Sequence, residues 1–213
     1  MDIPKGDDRD LLDEILEASS SLVWYSTSQI EAGQHINDNG SYGDRPWPIS
    51  KATGEFLNTF IQEKNISSIV ELGTGIGYST IWMAIALKKQ ENGIIYTIEN
   101  KEYKSEIASG YFKKAKVEST VKMYTESIST ALPKIITTLN SKPIDLLFFD
   151  ANRSRFEEYL NTLSPIIGTE TYLIVDNTID MQSRLENFKK ILVQRGWKIE
   201  TLEIGDGLWV CKK

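Results

Sequence analysis

Three short segments contain residue types that could bind a cofactor and a metal ion. Residues 70–78 close an apolar run with glycines at alternate positions, namely Gly73, Gly75 and Gly77. Two later apolar runs end on polar side chains, the first on Asp150 and the second on Asp176 and Asn177. Glycines let a ligand approach the backbone, and strand-end carboxylates can supply oxygen ligands to a hard cation. The three segments together predict a transferase that uses a nucleotide-like cofactor and a metal ion.

The metal ligands must be mainly oxygen atoms, because His35 is the only histidine and Cys211 the only cysteine. A zinc site of the usual Cys/His type cannot be assembled from them. Oxygen ligands favour Mg²⁺, with Ca²⁺ or Mn²⁺ as alternatives. A Cys–His or Ser–His–Asp nucleophilic site would need His35, which lies far from any nucleophile-elbow pattern.

Charge and hydropathy limit the partners of the chain. The formal charge of −6 argues against a large nucleic-acid interface, which usually needs a basic face. No run approaches the roughly 18 apolar residues of a membrane-spanning helix. The acidic N-terminus lacks the apolar core of a signal peptide, so we expect a cytoplasmic protein.

Strand-like runs alternate with helix-like runs along most of the chain. Strands are predicted over 68–72, 93–98, 120–124, 144–149 and 171–175, and helices over 10–20, 50–64, 79–89, 101–115, 127–140, 155–163 and 180–195. This alternation predicts an α/β fold with a parallel sheet covered by helices on both faces. Residues 197–203 and 208–212 predict a C-terminal antiparallel hairpin. We expect one domain, with 1–49 as an N-terminal helix and a loop or lid, and 50–213 as the cofactor-binding core.

The spacing of the glycines and a second acidic residue make the predicted cofactor site more specific. The dinucleotide fingerprint places a glycine where this chain has Tyr78, which disfavours a nicotinamide dehydrogenase. Glu99 ends the next predicted strand, where a carboxylate can accept both hydroxyls of a ribose. The alternative is a tight turn with a helix-capping acid.

Asp150 and Asp176 end consecutive predicted strands, which we expect to lie side by side. Neighbouring strands are about 4.8 Å apart, so both carboxylates and the Asn177 amide oxygen could converge on one ion. In the alternative interpretation, each aspartate caps the turn that follows it.

Residues 71–79 resemble motif I of class I S-adenosylmethionine-dependent methyltransferases. From about Trp47 to the C-terminus, the chain more narrowly resembles the cation-dependent catechol and caffeoyl-CoA O-methyltransferases, with Asp150 and the pair Asp176-Asn177 selecting that branch. The resemblance implies a doubly wound, Rossmann-like, seven-stranded and mostly parallel sheet. It also implies S-adenosylmethionine, a divalent cation, a small hydroxylated acceptor and a homodimer.

The same resemblance assigns roles to individual residues. The implied metal ligands are Asp150, Asp176 and Asn177. The implied cofactor-binding residues are Trp47, Ile49, Glu71, Gly73, Gly75, Gly77, Ser79, Glu99, Ser127 and Asp150. Among these, Ser79 would approach the methionine carboxylate, Glu99 the ribose and Ser127 the adenine.

Arg153 departs from the family pattern, because relatives usually have a lysine general base at this position. Arginine stays protonated and cannot take the proton, but it can stabilise an oxyanion. We therefore name Asp150 and Arg153 as candidate catalytic residues and leave the general base open. The predicted reaction is methyl transfer to one hydroxyl of a catechol-like acceptor. The alternatives are a methyltransferase for a hydroxylated tRNA base and a cofactor-binding protein with little catalysis.

Overall fold

The structure is a computed structural model that describes residues 4–21, 46–88 and 93–213. Most of the loop predicted over 26–50, including His35, lies outside the described residues. Residues 46–50 belong to neither a helix nor a strand, and they lead into the second described helix.

A seven-stranded mixed sheet forms the centre of the protein. Its strands are β1 (Ser68–Leu72), β2 (Ile94–Glu99), β3 (Val121–Thr125), β4 (Ile144–Phe149), β5 (Ile167–Asp176), β6 (Lys198–Leu202) and β7 (Leu208–Lys212). They lie in the order β3-β2-β1-β4-β5-β7-β6. Strands β1 to β5 are parallel, and β7 runs antiparallel to both β5 and β6. The predicted fold class, including the C-terminal hairpin, is confirmed.

Helices cover both faces of this sheet. They are α1 (Asp7–Ser21), α2 (Lys51–Glu63), α3 (Tyr78–Leu87), α4 (Glu102–Lys114), α5 (Ile128–Leu139), α6 (Phe156–Leu163) and α7 (Gln182–Gln194). Side chains along a strand alternate between the faces. In β4, Leu146 and Phe148 therefore join the core under α1 to α4, whereas Leu147 and Phe149 join the core under α5 to α7.

The largest boundary error concerns β5, which begins at Ile167 rather than at the predicted residue 171. Its first four residues are half-buried or exposed, so they lack the apolar run that marks the rest of the strand. The pairing of β4 with β5 also shifts register between Ile144 and Leu146, which is typical of a β-bulge. Sequence periodicity does not reveal an irregular, solvent-facing strand start.

The sheet reverses its winding at β1, which pairs with β2 on one side and with β4 on the other. In such sheets, ligands bind beyond the carboxyl ends of the strands at this point. Leu72 is in register with both Ile98 and Phe149, and Phe149 is in register with Val175. The ends of four strands are thus brought to one edge, together with the polar residues that follow them.

Candidate functional site

A cleft of about 680 Å³ lies at this edge of the sheet. Most of the residues singled out from the sequence line it: Trp47, Ile49, Gly73, Gly75, Ser79, Glu99, Ser127, Asp150, Arg153 and Asn177. Glu71, Gly77 and Asp176 do not line it, although each adjoins a residue of the site. The fold therefore assembles one site from segments that are distant in sequence.

Gly73 brings the end of β1 very close to the end of β4. Its φ of +100° favours glycine, and an added Cβ would lie 2.1 Å from the backbone carbonyl oxygen of Asp150. The Gly73 N–H donates to the Ile98 carbonyl at 3.2 Å, and the Asp150 N–H donates to the Leu72 carbonyl at 3.1 Å. The glycine turn thus fixes the ends of three strands against one another.

Glu99 is held in place by two backbone groups. One carboxylate oxygen accepts from the Gly75 N–H at 2.9 Å, and the other accepts from the Lys101 N–H at 3.0 Å. Each oxygen of an ionised carboxylate can accept a further hydrogen bond. Glu99 lines the cleft and is only 8% exposed. It therefore presents a preorganised acceptor to a ligand beside the glycine turn.

Glu71 lies beneath the turn rather than in the cleft. Its fully buried carboxylate accepts hydrogen bonds from the hydroxyls of Ser79, Thr80 and Thr97. Burial raises the pKa of Glu71, the three hydroxyl donors oppose this rise, and nearby Glu99 adds to it. The structure thus gives Glu71 a contact with Ser79 in place of a direct contact with the cleft.

Gly77 also supports the turn from outside the cleft. Its φ is +92°, and an added Cβ would lie 2.7 Å from the Phe112 ring. It precedes the first residue of α3, and its carbonyl accepts from the Ile81 N–H at 2.9 Å. The absence of a side chain lets this helix begin against α4.

Three further residues that line the cleft are Ser127, Trp47 and Ile49. Ser127 is the N-cap of α5, where its hydroxyl accepts from the Thr130 N–H at 3.2 Å. Trp47 is 75% exposed, whereas Ile49 is buried at 3% exposure. An exposed indole at the edge of a cleft provides a flat apolar surface for a ligand.

Asp150 and Asp176 form an acidic pair at the ends of β4 and β5. Burial raises the pKa of Asp150, and the charge of Arg153 opposes the rise. Burial also raises the pKa of Asp176, the charge of Asp150 adds to the rise, and the Asn177 N–H and Arg153 oppose it. Each carboxylate raises the pKa of a like neighbour, so a nearby cation favours the ionised form of both.

Arg153 supplies a cation at this position. It begins a 3₁₀ turn, Arg153–Arg155, directly after β4, and its Nη2 donates to the Asn177 side-chain oxygen. The Asn177 Nδ2 lies 3.4 Å from a carboxylate oxygen of Asp206. The Arg153 Nε is buried and has no hydrogen-bond partner among the described residues.

Asp206 is a site residue to which the sequence analysis gave no role. It belongs to the turn between β6 and β7, and its carbonyl accepts from the Ile179 N–H at 3.0 Å. The neighbouring Gly207 carbonyl accepts from the Thr178 N–H at 3.0 Å. These bonds fasten the hairpin turn to the segment after β5. The Gly-Asp-Gly spacing predicts a hairpin turn, but it does not predict that this turn packs beside the site.

Other cleft residues also escaped prediction: Asn100, Lys104, Arg155, Tyr159, Asp180, Met181 and Arg184. Among them, Arg155 donates to both carboxylate oxygens of Glu158 at 2.7 and 2.9 Å. It also lies over the Tyr159 ring, 5.4 Å from the ring centre. These side chains come from helix and turn positions whose sequence pattern resembles that of any solvated surface.

The described residues fit the predicted metal site only in part. No group of three or more Asp, Glu, His or Cys side chains in the described ranges could hold a metal ion. The predicted set thus depends on the Asn177 amide oxygen as its third ligand. That oxygen already accepts from the Arg153 guanidinium. The metal site stays a prediction.

The sequence matches the family described as O-methyltransferase over residues 42–213, which is most of the chain. The chain belongs to the O-methyltransferase family. It is similar to a catechol O-methyltransferase from Niastella koreensis, with 33% identity over 160 residues that cover 75% of this chain and 70% of that protein. It is also 23% identical to a caffeoyl-CoA O-methyltransferase from Populus kitakamiensis over 82% of this chain and 80% of that protein.

Solved O-methyltransferase structures share the fold. A Bacillus cereus O-methyltransferase crystallised with SAH superposes with a TM-score of 0.73, 22% identity and coverage of 99% of this chain and 92% of that one. TomG from Streptomyces achromogenes, solved with SAM, gives a TM-score of 0.69, 21% identity and coverage of 98% and 99%. This O-methyltransferase is therefore an enzyme of the class that motif I predicted. Within the part of the chain that the structure describes, no helix is long and apolar enough to cross a membrane.

Proposed function

We propose that this enzyme transfers a methyl group from S-adenosylmethionine to a hydroxyl of a small, catechol-like acceptor. The observation that carries the proposal is the single cleft that joins the glycine turn and Glu99 to Asp150 and Arg153. A cofactor lying on the first group would place its far end beside the second. The similarity to a catechol O-methyltransferase supports the acceptor class.

In the proposed complex, the cofactor lies across the carboxyl ends of β1, β2 and β4. Glu99 accepts hydrogen bonds from the ribose hydroxyls, and Ser127 adjoins the adenine. Ser79 and the first turn of α3 adjoin the methionine carboxylate, where a helix N-terminus favours negative charge. Trp47 and Ile49 border the methyl-bearing end. Similar enzymes were solved with SAH and SAM, which supports this choice of cofactor.

The acceptor then lies against Asp150, Arg153 and Asn177. Its hydroxyl oxygen attacks the methyl carbon in line, the S–CH₃ bond breaks, and the electron pair of that bond stays on sulfur. The hydroxyl proton is released to water. Much of the rate enhancement comes from holding the two reactants in this alignment. The Arg153 guanidinium stabilises the negative charge that develops on the attacking oxygen.

A divalent cation bound by Asp150, Asp176 and Asn177 would lower the pKa of the acceptor hydroxyl. The carboxylates suit such an ion, but the hydrogen bond from Arg153 to Asn177 competes for the third ligand. The divalent cation, the homodimer and the cytoplasmic location stay predictions.

The proposal is tested with methyl-labelled S-adenosylmethionine and a panel of catechols, with monophenols of matched size for comparison. We expect labelled product from at least one catechol, and the monophenols show whether the second hydroxyl is needed. Glu99→Gln should weaken cofactor binding by about 10- to 100-fold, because a hydrogen bond to a charged group contributes about 1.5–3 kcal/mol. Isothermal titration calorimetry measures this loss.

The matched control is Glu102→Gln, which makes the same change at an exposed position in the first turn of α4. Its cofactor affinity should equal that of the wild type. Equal affinity in Glu99→Gln would overturn the proposed cofactor position. Tight cofactor binding without transfer to any catechol would instead support a cofactor-binding protein with little catalysis.

A further inference from the structure

We infer that the Arg153 guanidinium takes the place of the divalent cation, so that methyl transfer by this enzyme needs no metal ion. The inference rests on the proposed function, and it concerns how the same site handles charge. It follows from the position of Arg153, from the hydrogen bonds of Asn177 and from the charges around them.

The backbone after β4 places Arg153 at the carboxyl ends of β4 and β5. Asp150 ends the strand segment, and the Asn152 side chain accepts from the Ser154 N–H at 3.1 Å to start the 3₁₀ turn. The guanidinium then reaches Asn177, which follows the last residue of β5. One side chain therefore bridges the two strand ends that a shared cation would bridge.

The amide of Asn177 is oriented by contacts on both sides. Its oxygen accepts from Arg153, and its Nδ2 faces a carboxylate oxygen of Asp206 at 3.4 Å. Rotating the amide to offer its oxygen elsewhere would point the NH₂ group at the guanidinium, which has no acceptor atom. Asn177 is thus oriented toward Arg153, and a divalent ion would have to share this amide oxygen with the guanidinium.

The positive charge of Arg153 also disfavours a divalent ion at the acidic pair. The carboxylates of Asp150 and Asp176 both interact electrostatically with Arg153. A guanidinium is a permanent cation that is less strongly hydrated than an ammonium, so it suits a partly buried ion pair. A divalent ion placed on the same carboxylates would lie beside this positive charge, which weakens its binding. Arg153 therefore stabilises the acidic pair and competes with a divalent ion for it.

Arg153 also retains a hydrogen-bond donor for the acceptor. Arg153 lines the cleft, and a guanidinium has five N–H donors, one of which is given to Asn177. An acceptor oxygen in the cleft would bind one of the others. The O–CH₃ bond forms, the S–CH₃ bond breaks toward sulfur, and the hydroxyl proton is released to water in the cleft.

The first experiment compares the wild type with Arg153→Lys, which restores the residue that relatives usually have. Both are assayed for methyl transfer with EDTA and with added Mg²⁺. The wild-type rate should stay within about twofold under the two conditions, whereas Mg²⁺ should raise the Arg153→Lys rate by about tenfold or more. Arg195→Lys, which makes the same change outside the cleft, should behave as the wild type does.

The second experiment measures metal binding without catalysis. Mn²⁺ is titrated into the wild type, Arg153→Met and Arg195→Lys, and free Mn²⁺ is followed by electron paramagnetic resonance. We expect specific binding in Arg153→Met only, because that change removes the guanidinium and frees the Asn177 oxygen. Cofactor affinity and the unfolding transition show that each variant is folded.

Loss of wild-type activity in EDTA with recovery in Mg²⁺ would overturn the inference, and so would specific Mn²⁺ binding to the wild type. Failure to bind Mn²⁺ in folded Arg153→Met would also count against it, since the acidic pair would then not be a cation site that Arg153 fills. If no acceptor is methylated under any condition, the proposed function fails. The Mn²⁺ titration still decides whether Arg153 occupies the cation site.

Discussion

At the scale of single residues, two glutamates near the glycine turn have different tasks. Glu99 accepts from two backbone N–H groups and lines the cleft. Glu71 is fully buried and accepts from three hydroxyls, one of them that of Ser79. The family resemblance implies a cofactor contact for both. Their surroundings instead make Glu99 an acceptor that lines the cleft and Glu71 a support for Ser79, which also lines the cleft.

The burial of Glu71 predicts a pH-dependent stability. Burial raises its folded-state pKa above the ordinary value of about 4.5. The stabilising contribution of the protonated carboxyl is therefore complete below that value and is lost as pH rises through the folded pKa. Relative to Glu71→Gln, the free energy of unfolding of the wild type should fall as pH rises above the ordinary carboxyl pKa of about 4.5.

Urea unfolding at a series of pH values measures this difference. Glu102→Gln is the control. Glu102 is exposed, so replacing it should leave the pH dependence of the free energy of unfolding as it is in the wild type. A constant difference between wild type and Glu71→Gln across the range would contradict the prediction.

At the scale of elements, the turn between β1 and α3 is the tightest junction of the site. Gly73 lies against the backbone of Asp150, which directly follows β4. Neither strand end can move without disturbing the other, because the Asp150 N–H also binds the Leu72 carbonyl. The turn therefore fixes the position of the acidic pair relative to β1.

Gly73→Ala should lower the free energy of unfolding by more than about 2 kcal/mol. The reason is that a non-glycine residue with positive φ is strained and the new Cβ would meet a backbone oxygen that cannot rotate away. Methyl transfer should fall as well, since the displaced backbone carries Asp150. Urea unfolding and the methyl-transfer assay measure the two effects.

Gly110→Ala is the matched control. Gly110 lies in α4, is exposed, and would place its Cβ in open space. Alanine is the better helix former, so this change should raise the free energy of unfolding by about 0.5–1 kcal/mol and leave activity unchanged. Equal effects of the two substitutions would show that steric contact does not distinguish the two positions.

At the scale of the whole molecule, the sheet provides a built-in reporter of unfolding. Cys211 lies in β7, in register with Leu173 of β5 and Ile199 of β6, and it is fully buried. Burial raises the pKa of its thiol to about 12. The reactive thiolate is therefore both inaccessible and scarce in the folded protein.

Cys211 is the only cysteine, so labelling by Ellman's reagent should follow global unfolding. We expect negligible labelling in buffer and a rise that coincides with the urea transition seen by circular dichroism. A short peptide containing one cysteine gives the rate for an exposed thiol. Labelling of the native enzyme near that rate would show that β7 opens without global unfolding.

Element types and order were predictable from the sequence because local patterns specify them. Strands β1 and β4 have the predicted bounds, since each is a mostly apolar run that is followed directly by a glycine or an aspartate. Helix α2 lies within its predicted range because Ser50 caps it. The start of β5 was missed, as its exposed residues carry no such pattern.

The sequence by itself determined the α/β class, the glycine turn, the acidic strand ends and the family. These features depend on residue types and short spacings, which are local. Only the tertiary structure separated Glu71 from Glu99, brought the hairpin turn with Asp206 to the site, and placed the Arg153 guanidinium on Asn177. Those outcomes depend on which strand ends become neighbours and which side chains they bury. Sheet order and burial are properties of the whole chain, so no single segment reveals them.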